Sequence, residues 1–379
     1  MSAKKVILCD AAPFGFGPIS KLLSIAKILR KKYSLVLLAF GPSLELAQNS
    51  GLFDKIIKCN TDNLKGIKSL ESVFNGKCFF LNVMNFKSLK FAKKNGVPYA
   101  VVDSLFYMWD KIPSVALNAN FYFIQSFLNK KARLNYQKKI KNLVLVNPIL
   151  DIEKKGRKKK NQLVINFGGV EAPDASFEEK QIYPKLAIEM LMPFLKNQKT
   201  FSSILITGNK ATVSFISKQA PKKIKCKSLT HEKFIKELKK SKLLLTSPGL
   251  TVSLEAFYLG IPTIFLLPQN HSQFFNLIKM RKQGLAKHSI HWIDFYPKAN
   301  INETENEDKS YKKISALMKK FDKNDANKKT ASQKLCSILE QAKEFQKIKK
   351  TQQQKTKFKS NGAEEIAEKI IGSIERKVI

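Results

Sequence analysis

The sequence predicts an α/β protein of two successive domains, each built on a parallel sheet. Three observations carry this. The chain opens with the order strand, loop, helix, strand. The same rhythm restarts after a polar segment at 151–161. The 379 residues also exceed what one hydrophobic core usually fills. A composition of 44% hydrophobic and 10% aromatic residues is ample for two packed cores.

The first strand is expected at Lys4-Lys5-Val6-Ile7-Leu8-Cys9, a short apolar run closed by turn residues. A loop rich in Pro and Gly follows at 13–18. Ile19, Leu22, Leu23, Ala26, Ile28 and Leu29 then recur at helical spacing. A second strand is expected at 35–40, ended by Gly41-Pro42, and further strands at 78–83, 99–102 and 143–147. Residues 1–150 thus read as an N-terminal Rossmann-like domain, and DIEKKGRKKKN at 151–161 reads as a linker. The second domain, 162–300, is expected to hold strands at 163–167, 203–207, 223–227, 242–246 and 263–267. Helices are expected at about 179–195, 232–239 and 251–259. From 301 to 379 a lysine-rich helical tail is expected: a solvated stretch at 303–330, a flexible connector at 351–362, and a terminal amphipathic helix carrying Ile366, Ile370, Ile371 and Ile374.

The formal charge is +38, and 63 of the 68 basic residues are lysine. Readers of bases and phosphates lean on arginine's planar fork, so specific nucleic-acid recognition is not expected. Two explanations of the charge stand side by side, a compositional habit and a surface for polyanions such as an anionic membrane. Five scattered cysteines without C-x-x-C spacing point to a reducing compartment, with no disulfide framework or zinc site. The N-terminal apolar run meets Asp10 after four residues, and no run approaches the ~18 residues of a membrane span. A cytoplasmic protein is expected, with peripheral contact at the inner face of the membrane left open.

The segment richest in chemistry is Thr246-Ser-Pro-Gly-Leu-Thr-Val-Ser-Leu-Glu255. A buried strand runs into a loop of small residues and then into a helix. The amides at Gly249, Leu250 and Thr251 therefore stand at a helix start suited to a diphosphate. Thr251 and Glu255 are four residues apart, on one helix face. From there a hydroxyl can meet phosphate and a carboxylate can meet a ribose diol. The same residues also fit a plain structural role, with Ser247 capping the helix and Glu255 complementing its dipole. Beyond the next strand, Gln269, Asn270, Gln273 and Asn276 offer uncharged groups suited to sugar hydroxyls, or an ordinary polar loop.

The pattern S-P-G-L-T-x-x-L-E-A-x-x-x-G-I-P, continued by Pro268, Gln273, Asn276 and Gly284-Leu285-Ala286, resembles the donor-binding region of GT-B glycosyltransferases. It is most similar to glycosyltransferase family 28, the branch of the peptidoglycan N-acetylglucosaminyl transferase. Shorter segments resemble the cytosylglucuronate synthases. The likeness covers about 160–290, and the N-terminal loop only loosely. It implies two Rossmann-like domains facing across a cleft with a C-terminal helical extension. It also implies a sugar donor carried on a nucleotide diphosphate, UDP first, and inverting transfer without a metal or a cofactor. Glu255 is implied on the ribose, the backbone near Leu229 at the base, the 247–251 loop at the diphosphate, and Gln273 with Gln269 near the sugar. Gly168-Gly169 is implied to open the cleft side of the second domain.

The acceptor loop, with Phe14, Gly15 and Gly17, departs from that branch because it lacks a histidine at the helix start. The carboxylates left as general base are Asp103 and Asp10, each at a strand end. Asp103 begins the aromatic run Asp-Ser-Leu-Phe-Tyr-Met-Trp-Asp110, which fits a flat or greasy acceptor, or simply a capped turn beside core aromatics. The acceptor is unidentified. A sugar-nucleotide epimerase and a non-catalytic polyanion binder are the other classes that one such fold could serve.

Overall fold

The computed structural model describes residues 4–13, 16–61, 70–152, 160–168, 177–356, 358 and 360–376, with the side chains of 177–180, 307 and 342 left aside. Phe14, Gly15 and Gly169 lie outside the described residues. The chain divides into two units, 1–151 with 358–379, and 152–357. The stretch grouped by composition as one tail is therefore shared, its larger part joining the second unit and its last helix the first.

In the first unit seven parallel strands form one sheet. They are β1 (Val6–Ala11), β2 (Ser34–Ala39), β3 (Lys55–Lys58), β4 (Phe79–Val83), β5 (Tyr99–Asp103), β6 (Phe121–Gln125) and β7 (Leu143–Val146). Their order is β3-β2-β1-β4-β5-β6-β7. The central strands read as continuous apolar runs because helices cover both faces. One face packs the helix Gly17–Leu29, through Ile19, Leu22 and Ile25, together with Ile366, Ile370 and Ile374 of the helix Gly362–Glu375. The other face packs Phe74, Leu89, Phe106 and Ala116 around Phe80 and Tyr122.

The last helix is fixed to β7 by a close backbone approach. The Gly362 N–H donates to the Pro148 carbonyl at 3.0 Å, and a Cβ at Gly362 would stand 2.0 Å from the Asn147 carbonyl oxygen. Only glycine fits there. Glu365 then accepts from the Asn147 backbone at 3.1 Å and from its amide at 2.7 Å.

In the second unit five parallel strands follow the same plan: β8 (Gln162–Asn166), β9 (Ser203–Thr207), β10 (Lys225–Lys227), β11 (Leu243–Thr246) and β12 (Thr263–Phe265). Their order is β10-β9-β8-β11-β12. The helices Glu307–Asp322, Asp325–Glu340 and Ala342–Lys355 pack on this unit. Residues 351–355, expected as connector, continue the last of these helices. Two strands absent from the sequence reading, β3 and β6, complete the first sheet. β3 is a four-residue edge strand with lysine at both ends, and β6 lies in the stretch that matched no motif.

Both sheets reverse their strand order once, after β1 in the first and after β8 in the second. The crevice beyond the strand ends at such a reversal is where α/β sheets bind ligands.

Among the described residues no helix is long and apolar enough to cross a membrane.

Candidate functional site

At the reversal of the second sheet, three polar residues end three neighbouring strands in register. Asn166 on β8 lies opposite Thr207 on β9 and Thr246 on β11. The Asn166 amide donates to Thr246 Oγ1 at 3.3 Å, and its oxygen accepts from Thr207 Oγ1 at 3.1 Å and from the Gly168 N–H at 3.2 Å. The chain then turns away through Gly168, whose φ of +67° disfavours side chains. Ser247 is buried beside it and donates to the Phe167 carbonyl at 3.4 Å.

Thr246 leads into Ser247-Pro248-Gly249, a tight turn in which the Gly249 N–H meets the Ser247 carbonyl at 2.7 Å. Gly249 is the N-cap of the helix Leu250–Tyr258 and gives it no side-chain cap. The first amides of a helix have no carbonyl partner inside it, and the positive end of its dipole lies there. Ser247, Gly249, Leu250 and Thr251 are thus gathered at one helix start whose N-cap residue is a glycine. Capping is not the role of Ser247, because its hydroxyl is turned to Phe167.

One turn into that helix, Glu255 is 2% exposed. Its Oε1 lies 2.6 Å from His231 Nε2, on the first residue of the helix His231–Lys240. Thr230 caps that helix by accepting from the Lys233 N–H. Leu229, just before the cap, is half-buried against the core of the unit.

Past β12, Gln269 is buried; its amide donates to the Phe167 carbonyl and its backbone N–H donates to Gln273 Oε1 at 3.0 Å. Gln269 Oε1 is buried without a hydrogen-bond partner among the described residues. Asn270 caps the helix His271–Lys282 by accepting from the Gln273 N–H at 3.0 Å. Asn276 ties this helix back to the Pro248 carbonyl at 3.4 Å. Four of the polar residues singled out in the sequence therefore build the loop itself, and Gln269 keeps an acceptor to offer. His271 turns to the Asn302 carbonyl, and burial lowers its pKa. Among the described residues no group of three His, Cys, Asp or Glu is placed to hold a metal ion.

In the first unit, Asp10 is the last residue but one of β1 at the reversal point, in register with Asn82 of β4. It is fully buried and accepts from Ser88 Oγ at 2.5 Å and Thr61 Oγ1 at 3.1 Å, with the Asn85 amide at 3.5 Å. Asn82 in turn holds the Asn85 backbone N–H at 3.1 Å, so this network shapes the turn after β4. Asp103 ends β5 and is also fully buried. It accepts from the Leu105 N–H at 2.9 Å, Trp109 Nε1 at 2.7 Å and Tyr122 Oη at 2.8 Å. Burial outweighs these donors and the Arg133 charge, and pushes its pKa up from 3.8 to about 6. Trp109 and Phe86, both half-buried, meet edge to face at 5.0 Å beside it. Gly17 is the first residue of the helix Gly17–Leu29, with open space where a Cβ would stand.

No protein-family profile and no curated protein sequence matches the chain. Solved structures do. MurG of Acinetobacter baumannii aligns with a TM-score of 0.56 at 14% identity, covering 97% of this chain and 99% of that one. The fold is GT-B. The S. aureus MnaA–UDP co-structure aligns with the same TM-score of 0.56 at 14% identity, covering 99% of this chain and 97% of the other. Phytolacca americana UGT2, complexed with UDP-2-fluoroglucose and pterostilbene, follows at 0.55 and 14%, covering 98% and 100%.

Several residues near the strand-order reversals of the two units escaped the sequence reading. Asn166 and Thr207 carried a usable signal, since each is a polar residue that closes an apolar run one or two positions before a glycine. Asn82, Ser88 and Tyr122 serve the two strand-end aspartates. Their partners stand 72, 78 and 19 positions away in sequence (82 − 10, 88 − 10, 122 − 103), out of reach of any local pattern. His231 lies 24 residues from Glu255 and belongs to no spacing motif.

Proposed function

We propose that this chain is a glycosyltransferase that moves a sugar from a nucleotide-diphosphate donor, UDP first, to an acceptor still to be found. The observation that carries the reading is the glycine-capped helix start at Gly249–Thr251 on the strand-order reversal, with the buried Glu255 carboxylate one turn further on. The helix amides are the groups that would stabilise the departing diphosphate, where preorganised donors are most effective. Glu255 would accept from the ribose hydroxyls, the backbone at Leu229 would meet the base, and Gln269 would offer its buried oxygen to the donor. That similar structures were solved with UDP or UDP-2-fluoroglucose supports the choice of nucleotide.

Within this proposal the transfer inverts the sugar and runs without a metal, the amides taking up the phosphate charge. Asp103 is the proposed general base. Its pKa near 6 leaves it ionised at neutral pH yet still a competent acceptor of a proton. Asp10, enclosed by three side-chain donors, is assigned to holding the turn after β4 instead.

The test is a panel of UDP-, TDP- and GDP-sugars in a thermal-shift assay, followed by assay of nucleotide release. A bound ligand raises the apparent melting point by mass action. A shift with one UDP-sugar and release of UDP, lost in Glu255→Ala, is the expected outcome. Isomerised sugar nucleotide in place of UDP would move the reading to an epimerase, and no shift with any donor would end it.

A further inference from the structure

The contact between His231 and Glu255 joins two helices whose N-termini both belong to the proposed donor site. His231 opens the helix after the 229–230 stretch, and Glu255 sits in the second turn of the helix after the 247–249 turn. The histidine side chain is 33% exposed and the glutamate side chain 3%. A carboxylate oxygen only accepts, so Nε2 carries the proton and donates it to Oε1 across 2.6 Å. Among the described residues no second hydrogen bond reaches this carboxylate.

A buried carboxylate is costly unless something holds it, and where it is held decides what else it can bind. His231 fixes Oε1 and leaves Oε2 for a ligand donor. We propose that His231 is a positioning residue for the ribose. By donating to Oε1 it aims the Glu255 carboxylate at the 2′- and 3′-hydroxyls, and it ties that carboxylate to the 229–230 stretch set against the base. No bond is made or broken, and the proton remains on Nε2. The inference rests on the reading of Glu255 as the ribose partner. It extends that reading to a residue outside the sequence motif.

A hydrogen bond to a charged group contributes about 1.5–3 kcal/mol, or roughly ten- to a hundredfold in affinity. Calorimetry with UDP and 2′,3′-dideoxy-UDP isolates it. The full-length protein should prefer UDP by about tenfold or more, and Glu255→Ala should erase that preference. His231→Ala should cut the preference to about threefold or less while dideoxy-UDP binds within about threefold of wild type. His231→Gln, whose amide can donate to Oε1, should restore part of it. If the alanine variant does not fold, His231→Leu keeps the volume without the donor and repeats the test.

If both nucleotides weaken equally in His231→Ala, or if the preference stays intact while Glu255→Ala erases it, the positioning role is overturned and the ribose reading survives. A preference untouched in Glu255→Ala, or no UDP binding by the wild type, overturns both.

Discussion

Gln352 completes the edge of the second sheet from a helix: its Oε1 accepts from the Thr263 N–H at 3.0 Å and its Nε2 donates to the Thr263 carbonyl at 2.8 Å. The same amide reaches the Leu285 carbonyl at 2.9 Å. One side chain thus does for the Thr263 end of β12 what a neighbouring strand would do, while the 288–290 segment pairs with Phe265 further along the same edge, the Phe265 N–H donating to the His288 carbonyl and the Ile290 N–H to the Phe265 carbonyl.

Replacing Gln352 by leucine keeps the bulk and removes every one of these bonds. The Thr263 N–H and two carbonyls would be left buried and unpaired, at about 1–3 kcal/mol for each group left without a partner. We expect Gln352→Leu to lower the urea midpoint of the second unit markedly. Trp292, buried in this unit, reports it, and Trp109→Phe removes the other of the chain's 2 tryptophans. An unchanged midpoint would mean the helix Ala342–Lys355 is dispensable to β12.

Gly362 is the corresponding point in the first unit. With a Cβ destined to fall 2.0 Å from the Asn147 carbonyl oxygen, Gly362→Ala has to push the helix Gly362–Glu375 off β7. Overpacking of this kind costs roughly 1–3 kcal/mol, occasionally more. Hydrogen exchange should show the helix opening faster in the variant while the second sheet keeps its protection. Equal protection across both units in the variant and the wild type would contradict the close approach.

The regular elements of both sheets were legible because buried parallel strands are near-continuous apolar runs, and β1, β2, β4, β5 and β11 stand out as such. β3 did not, since only two isoleucines separate its terminal lysines. Composition also misled at the tail. The polar run 351–362 reads as a connector, yet Gln352 is buried on the helix Ala342–Lys355 because the packing stripe of a helix needs only a few positions. At the candidate site, the Thr251–Glu255 face was readable from four-residue spacing. The tie from Asn166 to Thr207 and Thr246 was not, because register between strands is set by the whole sheet rather than by neighbours in sequence.

His291 makes stability of the second unit depend on pH. It is fully buried, its Nδ1 accepts from the Ile293 N–H at 3.1 Å, and Nε2 faces the Phe274 carbonyl at 3.0 Å. That pairing needs the neutral ring with the proton on Nε2, and burial pushes the pKa down from 6.5 to about 4. The folded pKa lies below the unfolded one, so the unfolded chain binds the proton more readily. Its contribution is complete above about pH 6.5 and is lost as pH falls toward 4, by up to about 3 kcal/mol. The urea midpoint should fall across this window in the wild type and less steeply in His291→Ala. Parallel slopes would show that another group dominates.

Asp103 titrates with the opposite sign. Its folded pKa is raised from 3.8 to about 6, so its contribution to stability is present below about pH 4 and is lost as pH rises through 6. If it is the base, the rate moves the other way, because only the carboxylate can take a proton. Once an acceptor is found, kcat/KM should rise with pH to a plateau above about 6, and Asp103→Ala should lower it by about a hundredfold or more. Trp109 donates to the same carboxylate at 2.7 Å, so its fluorescence in a Trp292→Phe background should titrate at the same pH as the rate. Coincident midpoints would assign the rate-controlling group to Asp103. A fluorescence change near pH 6 beside a pH-independent rate would leave Asp103 as a structural anchor for the Trp109 turn and send the search for the base elsewhere.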